Sequence, residues 1–187
     1  MLQKNYFEPK KSYIILSLIV LLISSCKELS AQDRSTNNQK RIIVADVEDS
    51  FTRGQMLPIT GQAFIKETVI NLEIAQTPEQ QSMGLMFRDA LPDDRGMLFP
   101  FAEARVARFW MNNVPVPLDM IFIKEGKVFA IANSVPPCTS KPQDCPLYGP
   151  DIPVDSVLEL KAGRAKSLGL AIGDSVEIKY LKLSQSN

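Results

Sequence analysis

The chain contains no histidine. That removes Ser-His-Asp and Cys-His nucleophilic catalysis, His-ligated zinc and imidazole proton transfer together, since each depends on a ring nitrogen that binds a metal or titrates near neutrality. A surplus of basic charge is missing too, with 21 Lys+Arg set against 21 Asp+Glu. Residues 1–25 hold three Lys and one Glu, so the remainder carries 18 basic and 20 acidic side chains, a net of −2. Nucleic-acid backbones demand a basic patch, and no nucleic-acid partner is expected. Aromatic residues make up 7%, with Trp110 the one tryptophan. The apolar run Tyr13–Ile23 has 11 residues and is broken by Ser17, whereas a helix crossing the hydrocarbon core needs roughly 20.

What stands at the start is an address. Lys4, Lys10 and Lys11 precede the short apolar run, and Ser24 and Ser25 follow it, the order of a secretory signal. Ile23-Ser24-Ser25-Cys26 resembles the bacterial lipobox, in which the Cys thiol takes a diacylglycerol and the signal is cut before it. Residues 1–25 are therefore expected to be a lipoprotein signal peptide, with lipidation at Cys26. The protein is expected in the cell envelope, held to the membrane by its lipid, because two or more acyl chains anchor stably where one does not. Ala31 to Lys40 is almost wholly polar, so 26–60 reads as a flexible tether. Arg41-Ile-Ile-Val-Ala45 is an apolar island in it, either a docking strand or a sticky part of the tether. One domain is expected over 61–183.

Within that domain, residues 62–73 favour one or two strands. Thr77 as cap, Pro78 at the first helical position and Gln80 three after the cap make a capping box that opens a short helix, which fails at Gly84. Met97–Phe101 and Ala107–Asn112 read as strands. Leu118–Ile123 and Lys127–Ile131 form a hairpin across Lys124-Glu125-Gly126. Pro136–Pro153 is a loop, Ser156–Leu160 a strand, Ala162–Leu168 a second short helix closed by Gly169, and Ser175–Leu181 a last strand. Many short strands with two brief helices predict a mainly β fold, a compact antiparallel sandwich or barrel.

Several runs together resemble a known family. Met83-Gly-Leu-Met-Phe-Arg88, Leu91-Pro92, Gly96-Met-Leu-Phe-Pro-Phe101, Phe109-Trp-Met-Asn-Asn113, Pro117-Leu-Asp-Met-Ile-Phe122, Leu158-Glu-Leu-Lys-Ala-Gly163 and Gly173-Asp174 are similar to the family catalogued as domain of unknown function 192. The likeness spans roughly Phe64 to Tyr180. It implies a mainly β fold and agrees with an exported leader, but it implies no mechanism. Asn113-Val114 departs from the more usual Asn-Thr, which bears on one hydroxyl contact.

The remaining chemistry is sparse. Cys138 and Cys145 lie seven apart in a Pro-rich loop. An oxidising compartment favours a disulfide, and the spacing is not that of a C-x-x-C redox site. Met83, Met86, Met97, Met111 and Met120 alternate with Leu, Phe and Ile, as core residues do, although thioethers also suit Cu(I). No cofactor is expected. Asp119 sits between Leu118 and Met120, where a carboxylate must reach a rim or find a partner; Arg88, Arg105 and Arg108 are the candidates, as half of a buried ion pair. Alternatively Asp119 joins Arg88, Trp110, Asn112, Asn113 and Tyr148 in one face suited to a carbohydrate, a peptide or an envelope protein. The expected function is a binding or accessory module, more a binder than an enzyme. The alternative is a carboxylate-dependent envelope hydrolase built from a pair among Asp119, Asp151, Asp155 and Glu159.

Overall fold

Alternation of apolar and polar residues sets the first hairpin. β1 (Ile59–Ile65) and β2 (Thr68–Ile74) pair antiparallel, turning Ala63, Ile65, Ile70 and Leu72 inward. The computed structural model describes residues 54–182; the signal segment, Cys26 and the Arg41–Ala45 island lie outside them. The domain reaches back before Gly61, into what the sequence assigns to the tether. β1 opens at Ile59, the Leu57 N–H donates to Glu73 Oε2 at 2.9 Å, and Gln55 Nε2 donates to the carbonyls of Gln80 and Gly84.

After β2 the capping box forms as its spacing requires. Gln80 N donates to Thr77 Oγ1 at 3.2 Å, Thr77 N donates to Gln80 Oε1 at 3.1 Å, and α1 (Pro78–Met83) ends at Gly84 with φ +47°. A return connection then lays β3 (Arg95–Val106) parallel to β2, with Asn71 beside Arg95 and Ile74 beside Leu98. β4 (Leu118–Lys124) and β5 (Lys127–Val135) make the hairpin, with Glu125 and Gly126 both at positive φ, as the primed two-residue turns need. β6 (Pro153–Lys161) inserts between β4 and β3, α2 (Arg164–Ser167) follows, and β7 (Glu177–Tyr180) closes onto β1.

The sheet order is β5-β4-β6-β3-β2-β1-β7, curled into a half-barrel. The expected mainly β domain with two short helices is what forms. Antiparallel pairing holds except between β2 and β3, so the sheet is mixed. Ala107–Asn112 is not a strand. The chain leaves the sheet at Val106, and there only Phe109 forms an isolated bridge, to Tyr148.

β4 is buried along nearly its whole length because both faces of the sheet are covered there. Ile121 and Ile123 join a core with Ile65, Leu72 and Leu160 on one side. Leu118, Met120 and Phe122 join Met97, Phe99 and Val157 on the other.

Asp119 lies fully buried on the Ile121 side, and among the described residues no arginine pairs with it. The ion pair expected from the sequence is replaced by backbone amides. Oδ1 accepts from Ser134 N at 2.7 Å and Gly163 N at 3.1 Å, and Oδ2 accepts from Ala165 N at 2.8 Å. The β4–β5 register shifts between Leu118 and Met120, and Ser134 there has φ +49°. Gly163 caps α2 without a side chain, so Asp119 supplies from a distant strand the acceptor that a cap residue normally carries. Asp119→Asn puts an amide N–H2 where one acceptor oxygen now faces an N–H. We expect a loss of about 2–3 kcal/mol, the size of one charge-assisted bond made unsatisfiable, read as an earlier urea midpoint. A curve overlaying the parent would show that the three amides find water instead.

The Pro136–Pro153 loop is clipped by the expected Cys138–Cys145 disulfide, with Cα atoms 5.7 Å apart. Gly149 packs so closely that a Cβ would run into the Ala107 carbonyl oxygen. Neighbouring Tyr148 exchanges backbone hydrogen bonds with Phe109 at 2.9 and 2.7 Å. Closing this short ring stabilises the fold by about 2.5 kcal/mol in the chain-entropy account. Thiol labelling of unfolded, unreduced protein should find neither cysteine free; two free thiols would contradict the clip.

Candidate functional site

The site begins with the side of the sheet that Glu159 occupies. In β6 it pairs with Met97 of β3 and Met120 of β4, both in the second core. Glu159 is 5% exposed, and among the described residues no cation and no hydrogen-bond donor meets its carboxyl. Burial alone pushes the acid up to about 8, because an apolar surround disfavours the charged form. At neutral pH it is mainly a protonated acid.

The carboxyl lines a cavity of about 40 Å³, walled by Met83, Gly84, Leu85, Met86, Phe99, Phe109, Trp110 and Val114, with Gln81 and Ser82 on the α1 side. That volume admits about three waters or one small chemical head. Trp110 is 39% exposed and belongs at once to the cavity lining and the surface.

The walls are braced. Gln81 Nε2 donates to the Ala75 and Pro100 carbonyls at 3.1 and 2.8 Å, tying α1 to the sheet. Phe109 meets Phe99 and Phe122 edge to face, with ring centroids at 5.0 and 6.3 Å, the arrangement ring quadrupoles favour. Phe87 N donates to the Asn113 carbonyl at 2.8 Å, joining two of the segments that line the cavity.

The six residues singled out for one binding face are dispersed. Trp110 lines the cavity, Tyr148 braces its Phe109 wall through the backbone, and Asn113, at φ +57°, ties the walls together. Asn112 is half-buried beside them. Asp119 belongs to the opposite side of the sheet, bound to amides. Arg88 is buried against Glu73, with Nη1 2.7 Å from Oε2. The carboxylates proposed for hydrolysis are scattered as well. Asp151 pairs with Arg108 at the surface, and Asp155 accepts from Glu125 N at 2.5 Å. Asp155 and Glu159 are four residues apart on one strand, roughly 13 Å, beyond the spacing that two-carboxylate hydrolysis uses.

The methionines divide by place. Met97, Met111 and Met120 are core, while Met83 and Met86 line the cavity. Among the described residues no group of three His, Cys, Asp or Glu side chains is placed to hold a metal ion. Glu159 as a buried acid, unpaired among the described residues, went unrecognised in the sequence. Its signal was the same as that of Asp119, an acid inside an apolar run, here Val157-Leu-Glu-Leu160.

The family profile DUF192, described as Uncharacterized ACR, COG1430, matches residues 61–178. Among solved structures, a Sinorhizobium meliloti 1021 protein described provisionally as a transcription regulator is 33% identical at a TM-score of 0.58, the match covering 66% of this chain and 97% of that one. A protein of unknown function from Novosphingobium aromaticivorans DSM 12444 is 35% identical at a TM-score of 0.56, covering 63% of this chain and 83% of that one. No curated protein matches.

Proposed function

Because this chain belongs to the DUF192 family, and the segments that carry the resemblance meet at the Glu159 cavity, we propose that it is a ligand-binding module of the cell envelope. It is tethered there through a lipid on Cys26 and receives one small chemical head in that cavity. The observation that carries this is convergence. Met83–Met86, Phe99, Phe109–Trp110 and Glu159 come from four separate motifs and share one cavity. A core acid with no partner among the described residues costs stability, and a binding role accounts for keeping it. The limited space suits a side chain or head group of a peptide, carbohydrate or envelope protein rather than a whole sugar ring. Hydrolysis lacks support in this geometry, since Glu159 is the one acidic residue among the described ones that lines the cavity. The transcription role named for the Sinorhizobium protein finds no counterpart in this chain's balanced charge.

Two experiments test the proposal. An NMR fragment screen should shift the Trp110 indole and the neighbours of Glu159 before any other region; hits confined elsewhere would sink the cavity. Cys26→Ala should release the protein from the membrane fraction or leave it unprocessed, and a variant cut and fractionating like the parent would refute the lipid tether.

A further inference from the structure

Resting on that reading of the cavity, we infer that its ligand is a compact organic cation, a primary ammonium head on an alkyl stem. Among the described residues the cavity is lined by one acid and no basic residue. Trp110, Phe99, Phe109, Met83 and Met86 give it aromatic and thioether walls, Leu85 and Val114 aliphatic ones, and Gln81 and Ser82 are its neutral polar residues. Aromatic faces attract ammonium groups, and more strongly when both are removed from water. Methionine sulfur adds polarisable, adaptable contact. An anion would meet the acid with no lining cation to balance it. A sugar ring exceeds the space and would find few donors, since the Gln81 amide N–H2 already serves the Ala75 and Pro100 carbonyls. An ammonium is small enough, and it supplies a charge partner that no described residue gives Glu159. Its alkyl stem leaves past half-exposed Trp110.

Binding such a head ionises the acid. The carboxyl gives its proton to solvent, R–NH3+ takes its place, and one proton is released per ligand bound. The groups facing Glu159 do not titrate in this range. Met97 stands opposite on β3, Met120 on β4, Gln81 and Ser82 on α1, and Trp110 and Val114 on the loop. Arg105 reaches the lining only through Gln81 Oε1, at 3.4 Å, while its guanidinium stacks on Phe101. Affinity for an ammonium should therefore rise about tenfold per pH unit up to about 8 and level off above it. The amine stays charged throughout, as its own pKa is near 10.4.

Trp110, the one tryptophan, reports the test directly. Butylammonium chloride should change its fluorescence saturably, more tightly at pH 8.5 than at pH 6.5, and Glu159→Gln should weaken the effect roughly tenfold or more, the size of a charge-assisted bond. Nα-acetyl-lysine methylamide and glycerophosphoethanolamine distinguish a peptide from a lipid source, and tight binding of either supports the class. If 1-butanol or acetamide binds as well as butylammonium, and more weakly as pH rises, the cation is overturned while the cavity stands. If none of these perturbs Trp110, the cavity reading falls with it.

Discussion

Glu159→Gln should flatten the pH dependence of stability between pH 5 and 9. In the unfolded chain the acid ionises near 4.5, and in the folded protein burial holds its proton up to about 8. Between those values the native state carries a proton that the unfolded state has released. Unfolding therefore releases a proton, and rising pH favours it. The parent should lose stability steadily from about pH 4.5 to about 8, by about 5 kcal/mol in all, and change little beyond. Three exposed acids have the opposite shift. Glu79 is held low by the N-terminal backbone of α1, Asp93 by Lys161, and Asp174 by the Ala171 N–H. Their stabilisation is present above the ordinary carboxylate range and lost only in acid, so they stay silent in this window. Urea unfolding at pH 5 and pH 9 separates the cases. The parent midpoint should fall between them and that of Glu159→Gln should not. Equal pH slopes would mean that the acid is solvated or partnered. The amide can itself go unsatisfied, so the slope and not the absolute stability is decisive.

Asp119 and Glu159 show how far the sequence could be read. Each is an acid in an apolar run, Leu118-Asp-Met120 and Leu158-Glu-Leu160. Both runs read correctly as strands, and they are neighbours, with Asp119 beside Leu160 and Met120 beside Glu159. That register places the acids on opposite faces. The short aspartate meets the amides of Ser134, Gly163 and Ala165, between 15 and 46 residues away, while the glutamate meets none among the described residues. Donors that distant belong to topology, and one chain carries no local mark of them. Local chemistry fared better. The Thr77–Gln80 box, the Glu125–Gly126 turn and the Cys138–Cys145 clip depend on nearby residues and formed where their spacing put them. Ala107–Asn112 has a strand's composition, but its Phe109, Trp110 and Met111 are spent on the cavity and core below the sheet. The parallel β2–β3 pair followed from the α1 return connection, which the strand pattern did not encode.

Arg88→Met should be the most destabilising single change among the ion pairs. Glu73 is wholly buried, and its Oε2 accepts from Arg88 Nη1 at 2.7 Å and from Leu57 N at 2.9 Å, while Oε1 has no partner. Most other pairs here are exposed, such as Lys161 with Asp93 and Lys179 with Glu177, and contribute little. Taking the charge from Arg88 strands a carboxylate inside the protein, at a cost of about 3–5 kcal/mol. The damage should spread to the cavity. Arg88 also reaches the Gln55 carbonyl at 3.4 Å, and the Gln55 amide holds the Gln80 and Gly84 carbonyls at the end of α1, beside Met83 and Met86. The double variant Glu73→Leu with Arg88→Met separates charge from packing. An apolar pair of similar volume often replaces a buried ion pair without loss, so stability should return most of the way to the parent. If the double variant is as weak as Arg88→Met alone, the guanidinium acts through the Gln55 carbonyl and the packing of its stem. If Arg88→Met unfolds with the parent midpoint, water reaches Glu73 in place of the guanidinium, and the pair is not what holds this wall of the cavity.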